Sequence, residues 1–108
     1  MTIYYYLDVD FIIENNKVEV DIYKLKQIIT SCVRKLFGEA GVGNQVDILK
    51  YEASTGQIIL RCFRDFYVKL RSSLSFGSEF DDIHYSFYVK KASASILTLL
   101  SNNKLYKF

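Results

Sequence analysis

The chain has 108 residues, of which half are hydrophobic and 24% are charged, and its formal net charge is +2. This length predicts one domain over residues 1–108, with enough buried surface for a single core, and the composition excludes a disordered polypeptide. No apolar run approaches the roughly 20 residues of a membrane span, and the acidic beginning lacks the pattern of a secretory signal, so we expect no membrane association.

The first half of the chain predicts a strand followed by a helix. Apolar and more polar residues alternate over Tyr4–Glu14, which is the period of a half-buried strand. A turn at Asn15–Lys17 leads to apolar residues at helical spacing over Ile22–Phe37, with Asp21 as the expected cap. Gly38 is expected to end this helix, because glycine enters the left-handed region at low cost.

The glycine loop, Gly38–Asn44, holds three of the five glycines. It is a poor candidate for a phosphate-binding loop, because it follows a helix and lacks a following Gly-Lys-Ser or Gly-Lys-Thr. Two interpretations stay open: an ordinary connector, and a contact with another subunit whose surface the flexible backbone can follow. The candidate residues for a contact with another subunit are those at the entrance of the loop: Phe37, Gly38 and Glu39.

The second half predicts two more strands, a helix with Asp65 as its expected cap, a fourth strand and a short helix capped by Ser93. The expected ranges are Val46–Glu52, Gln57–Phe63, Phe66–Leu74, Ile83–Lys90 and a final segment carrying Ile96 to Leu100. The resulting β-α-β-β-α-β order plus a terminal helix predicts an α+β, ferredoxin-like (RRM-like) sandwich. We expect a four-stranded antiparallel sheet with both main helices on one face.

The sequence offers no set of residues for catalysis, for a metal or for a cofactor. Cys32 and Cys62 lie in apolar patterns, which favours core thiols over a redox or metal role. His84 is the only histidine, so neither a nucleophile–base pair nor a zinc site is indicated. Asp8 and Asp10 lie on one face of the first strand, where solvated carboxylates are commoner than a magnesium site.

One enzymatic alternative is a small acyl-phosphate hydrolase, which the same fold supports. Such an enzyme needs a phosphate-cradling loop with an arginine after the first strand. Here that loop is Glu14-Asn15-Asn16-Lys17, which has neither arginine nor glycine. We therefore predict that the chain is not an enzyme.

Cations concentrate on the predicted helices and in the tail, where Lys104 and Lys107 lie, while residues 2–21 are mainly acidic. This segregation favours an anionic partner for the helices. The RNA-contact candidates are Arg34, Lys35, Lys69 and Arg71.

The exposed face of the predicted sheet mixes aromatic, aliphatic and acidic side chains, which suits a protein partner better than a phosphate backbone. The candidates on this face are Tyr4, Tyr6, Ile59, Phe63 and Tyr88. The alternative is an autonomous RRM-like single-stranded RNA binder, which stacks bases on aromatics of its central strands. The third strand instead carries aliphatic residues over 58–60.

Three segments carry a resemblance to a known family: CVRKLFGEAG at 32–41, VDILKYEASTGQIILR at 46–61 and VKLRSSLSFGS at 68–78. Together they resemble the fourteen-kilodalton protein subunits of eukaryotic ribonuclease P and ribonuclease MRP. The resemblance runs from about Tyr5 to Asn103, in the same order of elements.

The resemblance implies a noncatalytic subunit of a nuclear and nucleolar ribonucleoprotein whose RNA removes the 5′ leader of precursor tRNA. It also implies three partners: a related α/β subunit forming a heterodimer, a thirty-kilodalton barrel-like subunit, and the ribonuclease P/MRP RNA. The related subunit typically has a Ser-Gly-Thr turn after its fourth strand. This chain has Lys90-Lys91-Ala92-Ser93 there, so that subunit's RNA contacts do not transfer directly.

Overall fold

The structure, a computed structural model, describes residues 3–14 and 18–101. The predicted turn at 15–17 and the tail lysines Lys104 and Lys107 lie outside these residues. The elements in chain order are β1 (Tyr4–Ile13), α1 (Ile22–Val42), β2 (Val46–Glu52), β3 (Gln57–Phe63), a 3-10 turn (Arg64–Phe66), α2 (Tyr67–Phe76), β4 (Glu79–Phe80), β5 (Ile83–Ser93) and α3 (Ile96–Ser101).

The described strands form one antiparallel sheet in the order β2-β3-β1-β5-β4. The predicted α+β class is confirmed, but the predicted number of four strands is wrong. The additional strand, β4, pairs Glu79 with His84 and Phe80 with Ile83. Asp81 and Asp82 make the turn between them, with φ of 52° and 66°. Aspartate tolerates this region better than most residues, which lets two aspartates form a tight hairpin turn.

β1 lies in the middle of the sheet and supplies the centre of the core. Leu7 and Val9 have no exposed surface, and Phe11 is 5% exposed. These side chains share one core with residues of β3, α1 and α2, so both helices lie on the same face of the sheet. Burying each such aliphatic side chain contributes about 1.5–3 kcal/mol.

The structure differs from prediction at the end of the first helix. Gly38 leaves the helical conformation, with φ 69° and ψ −167°, but the chain turns helical again and α1 continues to Val42. Gly41 packs so closely that an added Cβ would meet Phe37 Cβ at 2.6 Å. The residues predicted to form a loop therefore form a break at Gly38 and then one more helical turn, which packs against the preceding part of α1.

Two of the three expected helix caps need correction. Asp21 Oδ1 accepts a hydrogen bond from Lys24 N at 2.7 Å, which confirms the cap of α1. Asp65 lies in the 3-10 turn, and α2 begins without a side-chain cap. At α3 the capping side chain is that of Ser95, which accepts from Thr98 N, while Ser93 accepts from Ser95 N.

We call the side of the sheet opposite α1 and α2 the outer face. α3 lies against its β1 and β5 portion: α3 contacts both strands, and Lys91 Nζ donates to the carbonyl of Thr98 at 3.4 Å. Leu99 is only 3% exposed, yet it does not belong to the core beneath α1 and α2. Of the residues that the structure describes, α3 covers the β1 and β5 side of the outer face, and no helix covers its β2 and β3 side.

Within the part of the chain that the structure describes, no helix is both long and apolar enough to span a membrane.

Replacing Gly38 by Ala should lower the free energy of unfolding by about 1–3 kcal/mol, because its φ and ψ fall where a Cβ is strained. Gly43→Ala is the matched control, since Gly43 has φ −65° and an added Cβ meets only ordinary contacts. Urea unfolding of both variants measures the difference. Equal stability of the two variants would contradict the assignment of strain to Gly38.

Candidate interaction surfaces

The outer face carries acidic residues whose charge is compensated within the chain. Lys90 Nζ lies 3.2 Å from Asp10 Oδ1 and 3.7 Å from Asp8 Oδ1. Gln57 also donates to Asp8, at 3.4 Å. Lys90 is the unpaired residue of a β-bulge in β5, because Asp8 pairs with Lys91 and Val9 with Val89. This ion pairing explains the two neighbouring carboxylates without a metal.

A second ion pair joins β2 and β3 on the same face. Arg61 Nη2 lies 2.9 Å and Nε 3.0 Å from Asp47 Oδ2. Gln45 Nε2 donates to Asp47 Oδ1 at 2.9 Å. The hydrogen bond from Gln45, together with that from Arg61, lowers the pKa of Asp47 against the opposing effect of burial. Both Asp47 oxygens are thus occupied and the guanidinium is held in one orientation.

Beside this ion pair lies a stack that we call the Tyr4 patch: Tyr4, Arg61 and Phe63. The Tyr4 and Phe63 rings lie side by side across β1 and β3, with centroids 5.3 Å apart and planes 15° apart. The Arg61 guanidinium lies 4.5 Å from the Tyr4 ring centroid. Phe63 is 39% exposed, so the patch offers a flat, ordered surface to solvent.

The other predicted contacts of the outer face differ in exposure. Tyr88 is 62% exposed and Tyr6 is half-buried. Ile59 lies on this face but is only 3% exposed, so its predicted exposure is wrong. It lies in the middle of the sheet between its cross-strand neighbours Asp8 and Lys50, whose side chains flank it.

The four predicted RNA contacts are exposed on the helices, and each has a partner within the chain. Arg34 pairs with Glu39 at 2.6 Å, and Lys35 donates to the carbonyl of Glu79 at 3.1 Å. Exposed ion pairs such as the first contribute little stability, so these cations remain free to exchange partners.

Lys69 and Arg71 lie on different sides of α2. They flank the fully buried Leu70, which places them about 100° to either side of it on the helix. Lys69 Nζ lies 5.7 Å from the Phe37 ring centroid, while Arg71 donates to the hydroxyl of Tyr67 at 2.6 Å. The structure therefore brings Lys69 to α1 and does not gather the four cations into one cluster.

At the entrance of the glycine loop, Gly38 and Glu39 are exposed and Phe37 is half-buried. The Arg34–Glu39 ion pair crosses the break at Gly38, and Lys69 approaches Phe37 from α2. The entrance of the glycine loop therefore lies where α1 and α2 meet, and it stays a candidate for contact with another subunit.

The two cysteines belong to the core, as the sequence favours. Both are buried and unbonded. Cys32 Sγ lies 3.1 Å from the Tyr85 hydroxyl oxygen. Burial raises the pKa of both thiols, that of Cys62 to about 11. Among the described residues no group of three or more histidine, cysteine or acidic residues could hold a metal ion.

A shallow pocket of about 280 Å³ lies between α1 and the beginning of β2. Lys26 lines it and donates to the carbonyl of Val46. Desolvation lowers the pKa of Lys26. Because its ammonium group already binds β2, this pocket holds a structural contact and gives no indication of a ligand.

The chain is similar to known proteins in its sequence and in its fold. The model of the Rpp14/Pop5 family matches residues 5–101. The chain is 33% identical over 101 residues to ribonuclease P protein subunit p14 of Mus musculus, covering 94% of this chain and 83% of the mouse protein. The identity to subunit p14 of Homo sapiens is also 33%, covering 94% and 82%.

Among solved structures, a chain in the cryo-EM structure of yeast ribonuclease MRP matches with a TM-score of 0.77. The match covers 88% of this chain and 76% of that chain, at 14% sequence identity. At this identity the likeness shows a shared fold.

Replacing Asp47 by Asn should destabilise the protein at pH 7, and the difference from the wild type should shrink below about pH 4. The pKa of Asp47 is depressed in the folded state, so its stabilisation is present above the unfolded pKa and is lost as the folded carboxylate is protonated. Urea unfolding at several pH values between 7 and 3 measures this.

Glu52→Gln is the matched control, because it removes a carboxylate that is exposed on the same strand. Its effect on the free energy of unfolding at pH 7 should be small. A difference between wild type and Asp47→Asn that stays constant across the pH range would contradict the assigned role.

Proposed function

Since the chain belongs to the Rpp14/Pop5 family, we propose that it is a protein subunit of a ribonuclease P or ribonuclease MRP ribonucleoprotein. The observation that carries this proposal is the alignment to p14 subunits over 94% of the chain. In this role the chain supports assembly, and the RNA of the particle removes the 5′ leader of precursor tRNA. The subunit itself is noncatalytic and acts in the nucleus and nucleolus.

The two sides of the molecule support a role between protein and RNA. On the outer face Arg61 pairs with Asp47 and Lys90 with Asp10, and stacked aromatic rings are exposed. The helices carry exposed cations, among them Arg34 and Lys69. A chain with exposed aromatic rings on one side and exposed helix cations on the other fits a position where protein subunits and RNA meet.

The proposed partners follow from the family. They are a related α/β subunit that forms a heterodimer with this chain, a thirty-kilodalton barrel-like subunit, and the particle RNA. For the protein contacts, the entrance of the glycine loop and the outer face are the proposed sites. For the RNA we propose Arg34, Lys35, Lys69 and Arg71.

A second candidate function is autonomous binding of single-stranded RNA. The Tyr4–Phe63 stack favours it, because these rings lie on adjacent central strands, where RRM-like domains stack bases. This function requires micromolar or tighter affinity of the isolated chain for RNA, abolished when the two rings are removed.

Affinity purification of the tagged full chain from its own cells tests the subunit proposal. We expect the RNA of ribonuclease P or MRP, identified by sequencing, and further protein subunits, identified by mass spectrometry. The purified material should also remove the 5′ leader of a precursor tRNA, which the tag alone should not recover. Recovery of the chain without this RNA and without these proteins would overturn the proposal.

Changing Arg34, Lys35, Lys69 or Arg71 singly to Glu should weaken binding to the in vitro transcribed particle RNA. Each phosphate contact that is lost should also reduce the slope of log affinity against log salt by about one. Lys50→Glu is the control, because Lys50 lies on β2 and not on the helices. Titrations at several KCl concentrations measure both quantities, and an unchanged slope removes that cation from the set of contacts.

A further inference from the structure

We propose that the Tyr4 patch is the anchor of a protein-docking surface and that its occupant is an uncharged, apolar surface of another protein chain. This inference rests on the proposed function, because it takes the occupant to be a protein subunit of the same particle. Beyond that function, the inference specifies which part of the outer face binds the partner, that Asp47 holds this part in place, and what chemistry the partner's surface has.

The residue types and their exposure form the first argument. Tyrosine and arginine dominate the few residues that carry most of the affinity in protein interfaces. Phe63 is 39% exposed, and Ile3, next to Tyr4 in the chain, is 55% exposed. Arg64 N donates to Ile3 O at 2.7 Å, which fixes this end of β1 beside β3. The patch is thus an exposed apolar surface on ordered backbone.

Preorganisation is the second argument. Tyr4 is flanked by the Phe63 ring at 5.3 Å and by the Arg61 guanidinium at 4.5 Å. Asp47 holds Arg61, and Gln45 in turn holds Asp47. Because these side chains are already ordered, docking on them loses little conformational entropy.

Charge decides the class of partner. Arg61 is neutralised by Asp47, and Lys90 bridges Asp8 and Asp10. Binding to a phosphate backbone needs cations that can replace counterions, and the proposed ones lie on the helices behind the sheet. The charged side chain of the Tyr4 patch is already paired, so the patch itself matches an apolar part of a partner.

The position of α3 sets the limits of the surface. α3 occupies the β1 and β5 side of the outer face, where Leu99 is buried. The Tyr4 patch lies across β1 and β3, on the open side. A protein interface of about 800 Å² per partner therefore extends from the patch over β3 and β2, away from α3.

The test compares Phe63→Asp with Val68→Asp in the tagged full chain. Each places a carboxylate at an exposed apolar site, and Val68 is 68% exposed on α2. We expect Phe63→Asp to reduce recovery of the particle's protein subunits at least tenfold and Val68→Asp less than twofold. Purified Phe63→Asp should bind the in vitro transcribed particle RNA within twofold of the wild type.

A photo-reactive benzophenone analogue of phenylalanine at position 63 gives a second measurement that does not depend on a destabilising substitution. On irradiation of the intact particle, we expect a crosslink to an apolar segment of a protein subunit. A crosslink to RNA, or a Phe63→Asp chain that folds and recovers the particle as well as the wild type does, overturns the docking surface alone. A wild-type chain that recovers no particle overturns the proposed function and this inference together.

Discussion

Burial of alternate side chains of β1 is the interaction on which the rest of the structure depends. Leu7 and Val9 lose all their exposed surface beneath α1 and α2, while Asp8 and Asp10, which alternate with them, face the other side of the sheet. A slip of one residue in the pairing with β3 would exchange the two sets, placing carboxylates in the core. The same alternation that forms the core therefore also determines which side chains a partner can meet.

The distribution of charge follows from this two-sided construction. On the outer face, cations and anions come from neighbouring strands and neutralise one another, as Arg61 and Asp47 do. On the helices, Lys35 is held by a backbone carbonyl and Lys69 by an aromatic ring, so their charge is not cancelled.

The sequence predicted most elements and little of their pairing. Periodicity is local, so it located β1, the first part of α1 and β5 closely. The pairing of strands depends on their register, and a bulge between Ile48 and Lys50 of β2 shifts that register. The sequence therefore did not predict the contact between Asp47 and Arg61. The sequence did not predict the β4–β5 hairpin, because its turn is Asp81-Asp82, without the glycine that usually marks such turns. The position of α3 depends on packing, and the burial of Leu99 became visible only in three dimensions.

The bulge in β5 has a consequence for how this chain tolerates a change in its length. Lys90 takes no place in the pairing with β1, since Val89 and Lys91 pair with consecutive residues there. Deleting it would leave a regular ladder, with Lys91 and Ala92 still on their present faces. The loss would be the ammonium group between two carboxylates, so the deletion would turn a neutral surface acidic while sparing the core. Such an allele would show its defect in assembly with other molecules, and its folding would remain intact.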